Sequence, residues 1–307
     1  MTSYLIFIIT TAGIYGLLTL SLNLIWGSAG MVNLGLVGFF AVGAYASALL
    51  TTMGGLPIWA GLLGSIVIGA AVGVLATSAT LRLRGDYLAI TTLGFAEVVR
   101  LVALNERWLT NGSDGVPGIP RPFFAELGSQ NFPIFYLLLV LAILAVTFLG
   151  MRRLDTAPFG RVLKAIREDE ELAGFAGKRV VRFKMIAFAI SAALAGLAGG
   201  LYGHFQSYIS PDHFQPLLTI YIFLAVTAGG VGRPFGGVAG AFVVIAFLEG
   251  TRFLAELIPG ISLAQAASVR EMMVGLALVL VLQFRPQGIL PEKRMTAPHI
   301  KTAEVKT

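Results

Sequence analysis

Apolar residues in this chain neither alternate with polar ones nor keep to one helical face. They run on for close to twenty positions at a time. Nine such runs stand out, near 4–26, 31–50, 58–81, 87–104, 133–151, 184–203, 216–230, 235–254 and 266–284. A helix needs about 20 apolar residues to cross a bilayer, and in lipid only helices or closed barrels satisfy every backbone group. Barrel strands alternate over about ten residues, so continuous runs predict helices. The reading is an all-α polytopic membrane protein of about 8–10 transmembrane helices, some interrupted by glycine. The first run is too long for a signal-peptide core and has no basic residue before it, so it is read as a retained helix.

Composition supports the pattern. Of 307 residues, 56% are hydrophobic and 12% charged, and mean hydropathy is +0.83. An average soluble domain is about 25% charged, so too little polar surface is available to face water. There is no cysteine, which excludes disulfides, thiolate metal sites and cysteine nucleophiles. His204, His213 and His299 have no metal-ligand spacing, so no metal site is expected. The net charge of +6 raises the question of nucleic acid, but its distribution points to membrane orientation instead. Nine of 22 basic residues crowd into 152–184 (Arg152, Arg153, Arg161, Lys164, Arg167, Lys178, Arg179, Arg182, Lys184). The positive-inside rule makes that loop cytoplasmic. Alternation then puts Arg82, Arg84, Arg233, Arg285, Lys293, Arg294, Lys301 and Lys306 inside too, leaving Arg107 and Arg121 in outer loops. The C-terminus is expected in the cytoplasm and the N-terminus outside. If 27–50 is re-entrant, eight full spans remain and the N-terminus moves inside.

Two glycine-rich interruptions form a weak internal repeat. Gly27, Gly30, Asn33 and Gly35 lead into Gly38 and Gly43, and Gly229, Gly230, Gly232, Gly236 and Gly237 lead into Gly240. Both following helices have the same predicted direction. Breaks at matching places in two halves point to a translocation path, because bare backbone groups are tolerated at membrane depth only where they line a cavity or are buried in protein. Ser191, Ala195, Gly199 and Gly203, spaced by four, read as close helix packing. The loop 152–184 contains one amphipathic helix from Gly160 to Ala173, entered through Asp155-Thr156-Ala157-Pro158 and ended by Gly174 and Gly177. Its acidic run Glu168-Asp169-Glu170-Glu171 repels anionic lipid and favours a groove on a protein partner.

Several single residues carry alternatives. Glu97 lies in an apolar run, where a carboxylate is expensive. Arg100, three residues on, is placed to pair with it, either as an internal structural pair or in a pathway or gating role. Asn23, Asn33, Thr91 and Thr92 are intramembrane and polar, suited to helix–helix hydrogen bonds or to the pathway. Asn111, Gly112 and Asp114 sit in a turn-rich outer loop, which is either a docking surface or a connector. Glu249 and Arg252 are three apart and read as a pair. His204 and His213 flank a helix end and read as interfacial.

In their order and spacing, these stretches resemble the permease subunits of branched-chain amino-acid ABC importers, M-type. The matching segments are Asn23-Leu24-Ile25-Trp26-Gly27 through Gly43-Ala44-Tyr45, Arg82 through Glu97, Thr110 through Gly115, Pro158-Phe159-Gly160-Arg161 through Glu170, Gly229-Gly230-Val231-Gly232 and Arg285-Pro286-Gln287-Gly288-Ile289-Leu290. The Arg233-Pro234 step departs from the expected pattern of a small or polar residue and a less rigid one. The resemblance implies a transmembrane permease domain over 1–290 and a cytoplasmic tail over 291–307, in a bacterial inner membrane. It implies a related H-type permease as the other half of the core, two cytoplasmic ATPases and an extracytoplasmic binding protein. The coupling residues would be Gly160, Arg161, Ile166, Arg167, Glu168, Asp169, Glu170 and Gly174. The pathway residues would be Asn23, Gly30, Asn33, Gly35, Thr91, Thr92, Glu97, Gly229, Gly230 and Gly232. The chain has no G-x-x-x-x-G-K-[ST] loop, so ATP and Mg are expected in the partner subunits and no cofactor in this chain. The competing class is an ion-coupled secondary transporter or channel, which needs an essential intramembrane carboxylate; Glu97 and Glu249 are the candidates. A membrane enzyme needs a nucleophile–base or metal constellation, and the sequence offers none.

Overall fold

A computed structural model describes residues 2–80, 83, 85–256, 263–285 and 287–290. The side chain of Arg252, the residues Arg82 and Arg84, and the tail 291–307 lie outside the described residues. Twelve α-helices follow in order: α1 Thr2–Leu22, α2 Leu36–Thr52, α3 Ile58–Thr80, α4 Asp86–Asn105, α5 Arg107–Thr110, α6 Phe124–Thr156, α7 Pro158–Glu168, α8 Glu170–Phe175, α9 Val180–Gln206, α10 Pro216–Gly229, α11 Pro234–Glu256 and α12 Leu263–Phe284. Among the described residues, six apolar helical spans are long enough to cross a membrane, and α2, α10 and the apolar part of α11 are shorter apolar helices. These nine correspond one for one to the nine apolar runs of the sequence. The first continues from α1 through a π-helical turn, Asn23–Ser28.

The connections gather at two ends. One end holds 29–35, Gly85, 157–179, 230–233 and 287–290, joined by contacts among them. The other holds 106–123 and 207–215, clasped by a two-residue antiparallel ladder between β1 (Val116–Pro117) and β2 (Tyr208–Ile209). This alternation is the one the charge map requires. The ladder brings His204 under cover. It is 1% exposed, hydrogen-bonded to Ser47 Oγ at 2.9 Å and to the Pro120 carbonyl at 2.7 Å. His204 is therefore a buried interhelical tie, not an interfacial residue.

The centre of the bundle is α2, α3 and α9, packed backbone to backbone. Gly61, Ser65, Gly69, Gly73 and Thr77 recur every four residues on α3, all buried. Ser65, Gly69 and Gly73 meet Ala192, Gly196 and Gly200 of α9, and Gly61 meets Ser47 and Thr51 of α2. A Cβ on Gly196 would strike the Ser65 carbonyl, and one on Gly199 would strike the Phe40 carbonyl. In lipid there is no hydrophobic gain from pairing helices, so close approach through small residues supplies the contact. The spacing-by-four reading of Ser191, Ala195, Gly199 and Gly203 is thus a packing seam. Ser191 adds reciprocal hydrogen bonds with Ser21 on α1, at 2.7 and 3.0 Å.

The loop region differs from the single helix read in the sequence. Asp155 and Thr156 belong to α6, and Pro158 opens α7. The helix then breaks at Asp169, whose carboxylate accepts from the backbone N–H of Glu171 (3.0 Å) and Leu172 (2.9 Å) and so starts α8. Aspartate is a strong N-cap, and this outweighs the apolar periodicity that continues through it. Gly174 falls inside α8, and Gly177, with φ 76°, closes the turn.

Crowding at the seam sets an expectation. Gly196→Ala, adding one methyl against a carbonyl, should destabilise by about 1–3 kcal/mol, while Gly150→Ala, with nothing within 4 Å of the new methyl, should not. Thermal unfolding of the detergent-solubilised protein reads the difference. Equal melting for both variants would contradict the packing account.

Candidate functional site

The two glycine-rich breaks meet. After α1 and the π-helical turn Asn23–Ser28, the chain turns at Gly30 (φ 69°), and non-helical backbone continues to Gly35, the N-cap of α2. After α10, Gly230 (φ 118°) and Gly232 (φ 85°) turn the chain, and Pro234 opens α11. Proline suits a first helical position because its missing N–H has no intrahelical partner there; the Arg233-Pro234 step therefore starts a helix cleanly. At 14 residues, α10 is about 21 Å long, shorter than the ~30 Å hydrocarbon core. At least one end of α10 therefore lies within the membrane's thickness.

Bare backbone at that depth has to be satisfied internally, and each break satisfies the other. Asn23 Oδ1, from the first, accepts the Gly232 N–H of the second at 2.8 Å. Trp26 stacks on Phe223 with centroids 4.1 Å apart. Gly27 lies so close to Gly232 that a Cβ would come within 2.6 Å of its nitrogen. In the first break, Asn33 Oδ1 accepts from Gly35 N–H (2.8 Å), and Thr92 Oγ1 accepts from Leu34 N–H (3.1 Å). Asn33 Nδ2 stays buried without a partner. In the second, the carbonyls freed at the end of α10 are taken by the chain's last described segment. Ile289 N–H donates to Ala228 O (2.8 Å) and Leu290 N–H to Gly229 O (3.1 Å). Gly288, at φ 71°, packs directly on Gly230. That docking was not read from the sequence, although Gly288 just beyond the last apolar run was a visible turn signal.

The loop helix reaches this junction. Arg167, on α7, donates through Nη1 to the Gly27 carbonyl, and its side chain lies against Gly30. Ile166 and Leu163 are buried beneath α7, and Gly160 packs on the Leu154 and Asp155 backbone. Two ion pairs fasten the loop to its flanking helices: Lys164–Asp155 at 2.8 Å and Glu170–Lys184 at 2.7 Å. Beside this contact is a cavity of about 170 Å³, lined by Gly30, Met31, Arg167, Glu170 and Lys184. The outward side of α7 and α8 carries Arg161, Glu168, Asp169 and Glu171, with Leu172 and Phe175 exposed among them.

The remaining candidates are elsewhere. Thr92 is buried at the first break, but Thr91 faces outward and bonds only its own helix, at Tyr87 O. Adjacent helical residues point about 100° apart, so the two threonines do not share a site. Glu97 and Arg100 form the expected pair, with Nη2–Oε1 at 2.5 Å and Nε contacts at 3.0 and 3.1 Å. The pair is partly exposed on α4, with 36% of the Glu97 side chain accessible. It is therefore not internal to this chain, and it lies away from the junction. Glu249 accepts a 2.5 Å hydrogen bond from Tyr4. Asn111, Gly112 and Asp114 lie at the opposite end. Asn111 (φ 61°) donates to Gly115 O at 3.0 Å, and Tyr208 donates to Asp114 O at 3.1 Å, so β2 holds this loop in shape. Among the described residues, no group of three or more His, Asp or Glu side chains is placed to hold a metal.

Residues 4–282 match the family described as "Branched-chain amino acid transport system / permease component". The "High-affinity branched-chain amino acid transport system permease protein LivM" of Salmonella typhimurium is 35% identical, over 96% of this chain and 71% of the relative. The "Probable branched-chain amino acid transport permease protein LivM" of Methanocaldococcus jannaschii is 30% identical over 94% of each chain. The related LivH of S. typhimurium is 28% identical over 92% of each chain. No solved structure matches the chain. With nine apolar helices among the described residues, paired backbone breaks and a match over nearly its whole length, the chain belongs to the family of permease components of branched-chain amino acid transport systems.

Proposed function

We propose that this chain forms half of the translocation pathway of an ATP-driven importer of branched-chain amino acids or related small polar solutes. Its partner in the membrane is a second, LivH-like permease. Two cytoplasmic ATPases dock on the outward side of α7 and α8, and ATP and Mg are bound there rather than in this chain. An extracytoplasmic binding protein docks at the opposite end, around Asn111, Gly112 and Asp114. The end bearing α7 and α8 faces the cytoplasm, as its Lys and Arg content favours, and the C-terminus lies on that side.

One observation carries the reading. Arg167 belongs to the helix that the ATPases would grip, and it is hydrogen-bonded to the carbonyl of Gly27 inside the first break. A displacement of α7 therefore acts on the backbone of the break without an intermediary. Asn23 passes it to Gly232 in the second break. The acidic residues and exposed Leu172 and Phe175 of α7 and α8 have the character of a helix that lays apolar anchors into a groove.

Three outcomes are expected. Tagged protein, expressed with its genomic neighbours, should bring down an ATPase and a second permease; isolation of this chain alone under mild solubilisation would contradict the reading. Arg167→Ala should retain the ATPase but lower amino-acid uptake into proteoliposomes at least tenfold. Uptake at the wild-type rate would remove Arg167 from the coupling path. Asn23→Ala leaves the Gly232 N–H buried and unpaired, a loss of about 1–3 kcal/mol, and should lower both melting temperature and uptake. A change in neither would dissociate the two breaks.

A further inference from the structure

The outer half of α4 presents charge where lipid would be expected. Glu97 is about 16 Å along the helix from Asp86 and about 12 Å from Asn105, close to mid-membrane. Ile90, Gly94, Glu97 and Leu101 fall on one stripe at i, i+4, i+7 and i+11. This is the face opposite the buried Leu88, Ala89, Thr92, Ala96 and Ala103. Glu97 is accessible there, and a Cβ on Gly94 would meet nothing within 4 Å. The uncovered face of α6, by contrast, is apolar, with Leu138 and Val146 exposed. A charged pair at this depth faces water or protein, not acyl chains. Toward the Asn105 end of α4, the 3₁₀ turn Pro211–Phe214, which carries Asp212 and His213, packs on this helix. His213 Nδ1 and the hydroxyl of Tyr45, which packs on Phe214, are buried without hydrogen-bond partners.

We propose that Glu97 on this stripe, with Arg100 beside it, forms a binding site for the zwitterionic head of an amino acid, entered from the end bearing Asp212. The pair offers one carboxylate and one guanidinium in contact, with no net charge. A zwitterion inserts by giving its carboxylate to Arg100 and its ammonium to Glu97. One ion pair becomes two, and the charge within the membrane stays at zero. A purely anionic or cationic solute leaves one member unmatched, at the desolvation cost of a buried charge. The bidentate geometry of arginine suits a carboxylate. The neighbouring Ile90, Gly94 and Leu101 leave an apolar flank for the side chain. This inference rests on the importer reading above and names a solute site within it.

The chain lacks cysteine, which makes a single introduced thiol a clean reporter. In the assembled complex, Gly94→Cys should react with a membrane-impermeant, water-soluble thiol reagent, and an amino-acid substrate should slow the reaction at least threefold. Leu138→Cys on α6 should remain unreactive. The double variant Glu97→Gln, Arg100→Gln keeps shape and removes both charges. It should raise the KM for uptake at least tenfold while the complex is recovered at normal yield. A Gly94 thiol as inert as that at Leu138 overturns the proposal, as does one that substrate does not protect. An unchanged KM does so too. If the double variant does not assemble, the Gly94 thiol still decides. Intact ATPase co-purification with an unchanged KM removes only this site, whereas loss of ATPase from the wild-type preparation removes the importer reading itself.

Discussion

In lipid, a backbone N–H or C=O that leaves its helix has no water to turn to. That constraint organises one end of this protein. Two helical segments break, at 29–35 and 230–233, and the groups they free are paired with each other or with neighbours within the protein. Asn23 takes the Gly232 N–H, Thr92 takes that of Leu34, and Ile289 and Leu290 take the carbonyls of Ala228 and Gly229. The glycines at 27, 230 and 288 follow from this arrangement, since side chains there would separate the strands of backbone that must touch. The Asn33 amide nitrogen is left over as a buried donor without a partner.

A junction built from backbone contacts responds as a unit. Arg167 ties the loop helix to Gly27, and Asn23 ties Gly27's segment to Gly232. Residues 288–290 close the far side. The opposite end is made differently. The β1–β2 ladder and buried His204 clasp the loops 106–123 and 207–215 to α9, and the α2–α3–α9 seam leaves little room for adjustment. The molecule therefore combines a tight seam and this clasp with two stretches of broken backbone at the end that carries the charged loop.

Much of this was legible in the sequence because lipid makes apolar length decisive. All nine runs became helices, and both breaks fell where glycines interrupt them. Legibility failed where a single contact decides. Asp169 ended α7 by capping α8, which the continuing apolar period concealed. Thr91 and Thr92 look alike in sequence and face different surroundings. His204 reads as interfacial until Pro120 and Ser47 are known to cover it. The docking of 288–290 joins residues about sixty positions apart, and no local pattern encodes that. Glu97 and Arg100 were visible as a pair, but only the structure puts them on an uncovered face of α4.

The central claim is mechanical: the loop helix and the two breaks move together against the clasp at the β1–β2 end. Spin-label distances in the assembled transporter test it directly, using cysteines introduced at the exposed positions Arg161, Phe235 and Ser113. On binding a non-hydrolysable ATP analogue, the Arg161–Phe235 distance should hold while the Phe235–Ser113 distance changes. A loop helix that slides past a stationary junction, altering the first distance and leaving the second fixed, would contradict the account.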